Sequence, residues 1–283
     1  MTILADMRTR RFWRHFVAHT LMCLGLLSTI LQTTNVILPT LTIFQGLPIL
    51  IGVISLSLIW GIYSSWPQPI AEEYLMPATK ITIVKGDLLK EESHIVIGAN
   101  DTFDTETPTI ISRTSLQGQV LERLFNNDLK ELDKLLEYAL SGKPVISQIA
   151  KPGKQNQYGI GTVATVKSGP RHIYFLAYCE LDVQNTAHST PDKIWKSLLA
   201  LWETVTRTAN QRTISVPVVG QGLARISSYL PAQDSIRFIA LSFMLASRQQ
   251  KICDELRIVV QPALYERLDR LELQAFLSSL RAS

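Results

Sequence analysis

The distribution of apolar and polar positions divides the chain into two parts. From Phe16 to Trp66 the sequence contains no Asp, Glu, Lys or Arg. Beyond that stretch charged residues return, and apolar positions follow strand-like and helix-like spacings in alternation. The pattern predicts a basic N-terminus and two apolar helices over residues 1–66, a proline-containing linker over residues 67–77, and an α/β domain over residues 78–283.

The uncharged stretch is long enough for two membrane crossings, because one crossing needs about 20 apolar residues. The candidates lie at about 16–38 and 47–66. A cleaved signal peptide is disfavoured, since no A-x-A-like site follows the first segment and a second apolar segment comes at once. Arginines dominate the residues before the first crossing, which predicts a cytoplasmic N-terminus. Two crossings return the chain to that side, so we expect a multi-pass membrane protein with a cytoplasmic α/β domain.

One face of the first predicted crossing is polar. Gly25, Ser28, Gln32 and Asn35 recur every three or four residues, which places them on one side of a helix. Unsatisfied polar groups are costly in lipid, so this face is expected to have a partner. Two partners remain open: the second helix of the same hairpin, or other copies of the chain around a water-filled path.

The composition argues against several kinds of partner. The 28 basic and 24 acidic residues give a net charge of +4, a small surplus for 283 residues, so we expect no nucleic-acid partner. Cys23, Cys179 and Cys253 lie far apart and form neither a metal-binding spacing nor a disulfide framework. We therefore expect no metal site and a reducing compartment for the domain.

A β-branched apolar run from Ile214 to Val219 leads directly into Gly220-Gln221-Gly222, and a helix follows. A glycine turn between a strand and a helix lets backbone N–H groups face an anion such as phosphate. The turn matches neither of the two standard nucleotide-binding fingerprints. The sequence here predicts an anion site without identifying its ligand.

Three other segments supply candidate site residues. One predicted strand ends in Gly86-Asp87, and the next runs from His94 to Gly98 and leads into Ala99-Asn100-Asp101. Ser115 precedes a predicted helix as a candidate N-cap, with Gly118 in the first turns. Strands alternate with helices throughout this part of the chain, so we expect an α/β domain with a mixed sheet.

These segments, in this order, resemble the macro domain, an α/β module that binds ADP-ribose. Gly86-Asp87-Leu88 is similar to the family's Gly-Asp-Ile/Leu motif, and Ile95–Asn100 to its I-V-N-A-A-N strand end. Pro217–Gly222 is similar to its glycine-rich loop. The family's G-G-G-V loop is missing, and Ser115–Gln119, with the sequence SLQGQ, stands in its place. The agreement in order and spacing runs from Lys80 to Pro262.

Together with the N-terminal hairpin, the chain resembles the membrane effector of type II Thoeris antiphage systems over nearly its full length. The resemblance implies that a TIR-domain partner consumes NAD and makes an ADP-ribose derivative, histidine–ADP-ribose, which the macro-like domain senses. It also implies homo-oligomerisation, contact with lipid and disruption of the inner membrane, with no cofactor beyond the nucleotide signal. Two other functions stay open: a membrane-tethered ADP-ribosyl hydrolase, and an anchored reader of ADP-ribosylated proteins.

The resemblance also implies roles for individual residues. Asp87 is expected to accept from the adenine amino group or to cap a turn, and Asn100 to reach the distal ribose or hold its own loop. Arg225 is expected to contact the diphosphate or a surface acid, and Gln221 to read the far end of the ligand. The remaining expected ligand contacts are Ala99, Ser115, Leu116, Gln117, Gly118, Val219, Gly220, Gly222 and Leu223. The Asn–Asp arrangement of hydrolytic macro domains is not recognisable, so we expect no catalytic residue and no turnover.

Overall fold

The computed structural model describes residues 10–37, 46–65, 70–220 and 230–281. The chain forms two compact units, an N-terminal pair of helices and a C-terminal α/β domain.

Two long apolar helices form the N-terminal unit. Helix α1 spans Arg10–Ile37 and helix α2 spans Leu47–Ser64. Within them, Phe12–Ile37 and Leu47–Ser64 are long and apolar enough to cross a membrane. Pro48 lies in the first turn of α2, where the missing N–H removes no helical hydrogen bond. The two predicted crossings therefore correspond to two helices, the first of which begins earlier than the sequence suggested.

Small residues lie where α2 packs against α1. Ser57 and Gly61 are buried, and a Cβ atom on Gly61 would clash with the hydroxyl of Thr20 and lie 3.1 Å from the Phe16 ring. Glycine at this position lets the two backbones approach closely.

The predicted polar face of α1 lies largely exposed within this unit. Ser28 and Gln32 are exposed, and no atom lies within 4 Å of the position that a Cβ on Gly25 would take. Asn35 is half-buried, and its Oδ1 has no hydrogen-bond partner among the described residues. The contact with α2 therefore does not cover Ser28 or Gln32.

A mixed β-sheet forms the centre of the C-terminal unit. Its strands follow the spatial order β1-β2-β10-β9-β3-β7-β6, with β8 beside β7. The central strands β2, β10, β9, β3 and β7 are parallel, and the outer strands β1 and β6 are antiparallel to their neighbours. The strands are β1 (Ile70–Tyr74), β2 (Thr79–Lys85), β3 (His94–Asn100), β6 (Val163–Ser168), β7 (Arg171–Leu181), β8 (Ala187–His188), β9 (Ile214–Pro217) and β10 (Glu255–Val260), and a separate two-stranded pair comprises β4 (Ser147–Gln148) and β5 (Asn156–Gln157).

Helices cover both faces of this sheet. The period of two along β7 sends Tyr174 and Leu176 to one apolar cluster, and Phe175 and Ala177 to another. The helices of the unit are a 3₁₀ turn at Leu88–Lys90, α3 (Leu116–Leu124), α4 (Leu129–Leu140), α5 (Pro191–Thr208), α6 (Ala232–Gln249), α7 (Pro262–Tyr265) and α8 (Arg270–Ser279). Helices α5 and α6 contribute to the first cluster, and α3 and α4 to the second. The mixed-sheet α/β prediction is confirmed.

Part of the predicted linker over residues 67–77 is a strand instead. Residues Ile70–Tyr74 form the edge strand β1, which pairs with β2 from Ile70–Ile83 to Tyr74–Thr79. One of the two acids that suggested a linker, Glu72, is buried, because Gln274 and Ser278 of α8 donate hydrogen bonds to it at 2.9 and 3.1 Å. An acid at a buried position interrupts the alternation of apolar and polar residues by which a strand is predicted from sequence.

Candidate functional site

The candidate site lies between β3 and β9, where the strand order of the sheet changes direction. From β3 the chain proceeds towards β7, whereas from β9 it proceeds to β10 on the opposite side. The β3–β9 ladder contains only His94–Ile214 and Ile95–Ser215, whereas the β3–β7 ladder continues to Asn100. The pairing of β3 with β9 therefore stops short of their carboxyl ends. Open α/β sheets bind ligands in the crevice outside the carboxyl ends of strands at such a point.

One wall of this region is the segment that follows β9. Val219 is buried, and its carbonyl accepts a 2.7 Å hydrogen bond from the Ser235 hydroxyl at the start of α6. Gly220 has a φ of 83°, a backbone conformation that glycine adopts without the steric cost of a Cβ. The predicted site residues Gln221, Gly222, Leu223 and Arg225 lie outside the described residues.

A second segment at this edge is the loop after β3, which Asn100 organises. Its buried Oδ1 accepts from the Thr102 backbone N–H at 3.2 Å, the Thr102 hydroxyl at 2.9 Å and the Asp104 N–H at 3.0 Å. Ala99, next to it, is also buried. Of the two roles expected for Asn100, the structure shows the loop-holding one, and the contact with a ribose stays a prediction.

Two buried acids, Asp101 and Asp104, hold the loop after β3 in place through hydrogen bonds and an ion pair. The Asp104 carboxylate forms an ion pair with Lys151 and accepts from the Lys154 N–H at 3.0 Å, and the two paired side chains are 2% and 0% exposed. Asp101 accepts from the Leu181 N–H at 3.1 Å and from Gln157 at 2.7 Å. Burial raises the pKa of Asp101, and these two donors oppose that shift. No local pattern in the sequence marked this network.

The start of α3 forms the third part of the site. Ser115 is the N-cap, and its Oγ accepts from the Gly118 N–H at 3.1 Å, as a Ser at this position predicts. A Cβ on Gly118 would lie 2.9 Å from the Arg113 Cα and closer still to the Ser112 carbonyl, so only glycine fits. Leu116 is half-buried and packs against the α3–α4 side of the core.

Gln117 joins this helix start to the loop after β3. Its side chain is 7% exposed, and its Nε2 donates a 2.5 Å hydrogen bond to the Asp104 carbonyl. The structure therefore brings together two segments, 100–104 and 115–118, that the sequence could place only on the same edge of the sheet.

Asp87, after β2, has both carboxylate oxygens engaged. Oδ1 accepts from the Leu89 N–H at 3.1 Å and caps the 3₁₀ turn, and Oδ2 forms a 2.8 Å ion pair with Arg123. The hydrogen bond from Arg123 is the main cause that lowers the pKa of Asp87. The turn-capping role expected for Asp87 is present. Arg123, at the end of α3, was not predicted from the sequence.

Comparison with known families assigns the domain. The family model described as "Thoeris protein ThsA, Macro domain" matches residues 81–261. The chain belongs to this family. The match covers every described element from within β2 to just beyond the end of β10 and agrees with the resemblance inferred from the motifs.

The domain is similar to solved structures of macrodomains. The Oceanobacillus iheyensis macrodomain with MES bound has a TM-score of 0.50 at 14% identity, over 74% of this chain and 96% of that one. A mutant of the same macrodomain with ADPR has a TM-score of 0.48 at 16% identity, over 74% and 96%. The Trypanosoma brucei macrodomain in complex with ADP-ribose has a TM-score of 0.47 at 13% identity, over 70% and 71%. At 14% identity the likeness to the first of these structures shows the fold alone, and the comparison with curated proteins found no match.

The ThsA macro domain also contains a cavity at the other edge of its sheet. It has a volume of about 1150 Å³ and lies at the amino ends of the parallel strands, with Glu91, His94, Arg171 and Arg257 in its lining. Arg257 pairs with Glu91 at 2.8 Å, and Arg171 donates to the Glu91 carbonyl. The cavity therefore lies at the opposite edge of the sheet from the predicted ligand site.

Metal and thiol chemistry find no support in the described part of this macro domain. No group of three or more His, Cys, Asp or Glu side chains there is placed to hold a metal ion. Burial raises the pKa of Cys179 and of Cys253 to about 12. Both thiols therefore stay protonated at neutral pH and are poor nucleophiles.

Proposed function

We propose that the chain is the membrane effector of an antiphage defence system and that its macro domain senses an ADP-ribose-derived signal, histidine–ADP-ribose. A TIR-domain partner that consumes NAD would make this signal. Membership of the ThsA macro-domain family supports the defence role. The observation that carries the ligand assignment is the interrupted β3–β9 pairing at the carboxyl edge, flanked by Gly220 and by the start of α3.

Helix α3 sets the spacing of the proposed site. Its nine residues extend over about 13 Å, from Ser115 at one end to the Arg123–Asp87 pair near the other. In the proposed complex the base lies near Asp87. The diphosphate lies between Gly220 and the first turn of α3, where backbone N–H groups lack helical acceptors and the helix dipole favours an anion. The distal ribose lies towards Asn100.

The proposed ligand is bound without turnover. Both acids closest in sequence to Asn100 are engaged: Asp101 by Leu181 and Gln157, and Asp104 by Lys151 and Lys154. A general base must reach the proton that it removes, and a carboxylate saturated by internal donors is a poor candidate. This arrangement supports a sensor over a hydrolase.

The N-terminal helices would carry the response. A single two-helix hairpin cannot enclose a path through lipid, so ligand-driven association of several copies is the proposed second state. The exposed Ser28 and Gln32 on α1 supply polar groups that such an assembly would bring together. The hairpin would lie in the inner membrane with the macro domain in the cytoplasm.

Calorimetry with ADP-ribose and its histidine conjugate tests the ligand assignment. In the full chain in detergent, Gly220→Glu should weaken binding at least about 100-fold, because a buried like charge facing the diphosphate costs several kcal/mol. The matched control is Gly169→Glu in the β6–β7 turn, where φ is also positive at 59° and no atom lies within 4 Å of the added Cβ. The control should bind like wild type. Wild-type protein that binds neither nucleotide would contradict the proposal, and a folded Gly220→Glu variant with full affinity would remove this loop from the site.

A further inference from the structure

The ion pair between Asp87 and Arg123 lies where the proposed function places the base of the ligand. The inference that follows therefore rests on the proposed function. The Asp87 Oδ2 to Arg123 Nη2 distance is 2.8 Å, and Asp87 Oδ1 is already held by the Leu89 N–H. An amino group on a base needs an acceptor, and each oxygen of this carboxylate already accepts one hydrogen bond while keeping a second lone pair. The amino group of a purine would therefore share an oxygen of Asp87 with a donor of the protein or displace that donor.

Arg123 is the donor that can withdraw. The Leu89 N–H belongs to the backbone of the 3₁₀ turn, whereas the guanidinium is at the end of a flexible side chain on α3. The paired side chains of Arg123 and Asp87 are 34% and 37% exposed, so part of the pair is open to solvent. Exposed ion pairs contribute little to folding, so breaking this one costs the fold little.

The position of Arg123 is defined by α3 itself. Its Nη1 lies 3.5 Å from the Gln119 Oε1, and Gln119 in turn donates to the Thr114 carbonyl at 3.1 Å. The guanidinium is thus held between Asp87 and the helix that begins at the proposed diphosphate site. A base at Asp87 would meet the carboxylate and the guanidinium side by side.

We propose that Arg123 is a specificity-determining residue that competes with the 6-amino group of adenine for Asp87 and donates instead to a base with a 6-carbonyl group. An amino group at this position is a donor, so it shares Asp87 with Arg123 and meets only donors on the guanidinium. A carbonyl at the same position is an acceptor and is complementary to the guanidinium N–H groups. Arg123 therefore reduces the preference for adenine that a free Asp87 would impose.

The test compares ADP-ribose with inosine diphosphate ribose, in which a carbonyl replaces the 6-amino group and N1 becomes a donor instead of an acceptor. Calorimetry uses the full chain in detergent, as wild type and as Arg123→Gln. The variant should bind ADP-ribose about two- to five-fold more tightly, the range set by exposed ion pairs. It should bind the inosine analogue about ten-fold more weakly, since a charge-assisted hydrogen bond is lost. The ratio of the two affinities cancels any general effect of the lost charge on the diphosphate.

Two further variants control the experiment. Arg123→Lys keeps the charge but not the planar fork, and should give an intermediate affinity ratio. Lys80→Gln breaks another exposed ion pair of the same domain, with Glu73 at 3.0 Å near the amino end of β2, and should leave both affinities unchanged. Thermal unfolding that matches wild type shows that each variant is folded.

The possible outcomes separate this inference from the proposed function. Wild-type binding with an affinity ratio that Arg123→Gln does not change overturns the role of Arg123 alone. Equal weakening of both nucleotides assigns Arg123 to the diphosphate and also overturns the inference. If neither wild type nor Arg123→Gln binds either nucleotide, the proposed function fails as well. A variant that binds ADP-ribose more tightly while the inosine analogue weakens supports both.

Discussion

Removing the ammonium group of Lys151 tests whether its buried ion pair organises the candidate site. The Lys151 and Asp104 side chains are 0% and 2% exposed, and Lys151 Nζ also donates to the Pro152 carbonyl at 3.2 Å. Lys151→Met keeps most of the aliphatic stem and deletes the charge. The Asp104 carboxylate then remains buried with backbone and hydroxyl donors but without its counter-ion.

The expected loss of stability is large. Removing one partner of a buried ion pair typically costs about 3–5 kcal/mol, since the other charge is left uncompensated. For a domain of this size, 1 kcal/mol corresponds to about 2–4 °C in melting temperature, which gives a decrease of about 6–20 °C. Adding Asp104→Asn removes the stranded charge and keeps an acceptor for the Lys154 N–H. The double variant should therefore recover most of the lost stability.

Thermal unfolding of the full chain in detergent, followed by tryptophan fluorescence, measures this effect. The control is Lys193→Met, which breaks a more exposed pair with Glu180 at 2.7 Å and should cost at most about 1 kcal/mol. Asp104 holds Gln117 through its carbonyl, so Lys151→Met should also weaken binding of ADP-ribose. A Lys151→Met variant that melts like the control, or a double variant no more stable than the single one, would refute the reasoning.

Two other expectations concern the hairpin and the opposite edge of the sheet. Gln32→Leu with Asn35→Leu should leave ADP-ribose binding intact but abolish ligand-induced dye leakage from liposomes; equal leakage would show that this polar face serves only packing. His94 is buried, accepts from the His172 N–H at 2.8 Å, and has its pKa lowered, chiefly by burial and then by His172. The unfolded chain therefore takes up protons first as the pH falls below about 6.5, so the melting temperature should decrease below that pH. His94→Asn should reduce this dependence, and an unchanged pH profile would exclude His94 as its source.

Local features of the sequence were enough to predict the main helices and strands and one hydrogen bond, from the Gly118 N–H to Ser115. The absence of charge between Phe16 and Trp66 predicted two apolar helices because helix length follows directly from residue count. The β-branched run at Ile214 predicted β9, and Ser115 predicted the cap that Gly118 completes three residues later. The order of motifs predicted a macro-like fold, which the match to the ThsA macro-domain family confirmed.

Only the tertiary structure decided which side chains meet. Arg123 is 36 residues from Asp87, Lys151 is 47 from Asp104, and Gln274 is 202 from Glu72. Hydrophobic periodicity reports which face of an element is buried, but a polar partner is set by which loops and helices end at the same place on the sheet. For the same reason β1 was mistaken for a linker, since the partners that allow Glu72 to be buried lie in the last helix. The sequence determined the elements and their order, and the packing of distant segments determined the charges around the site.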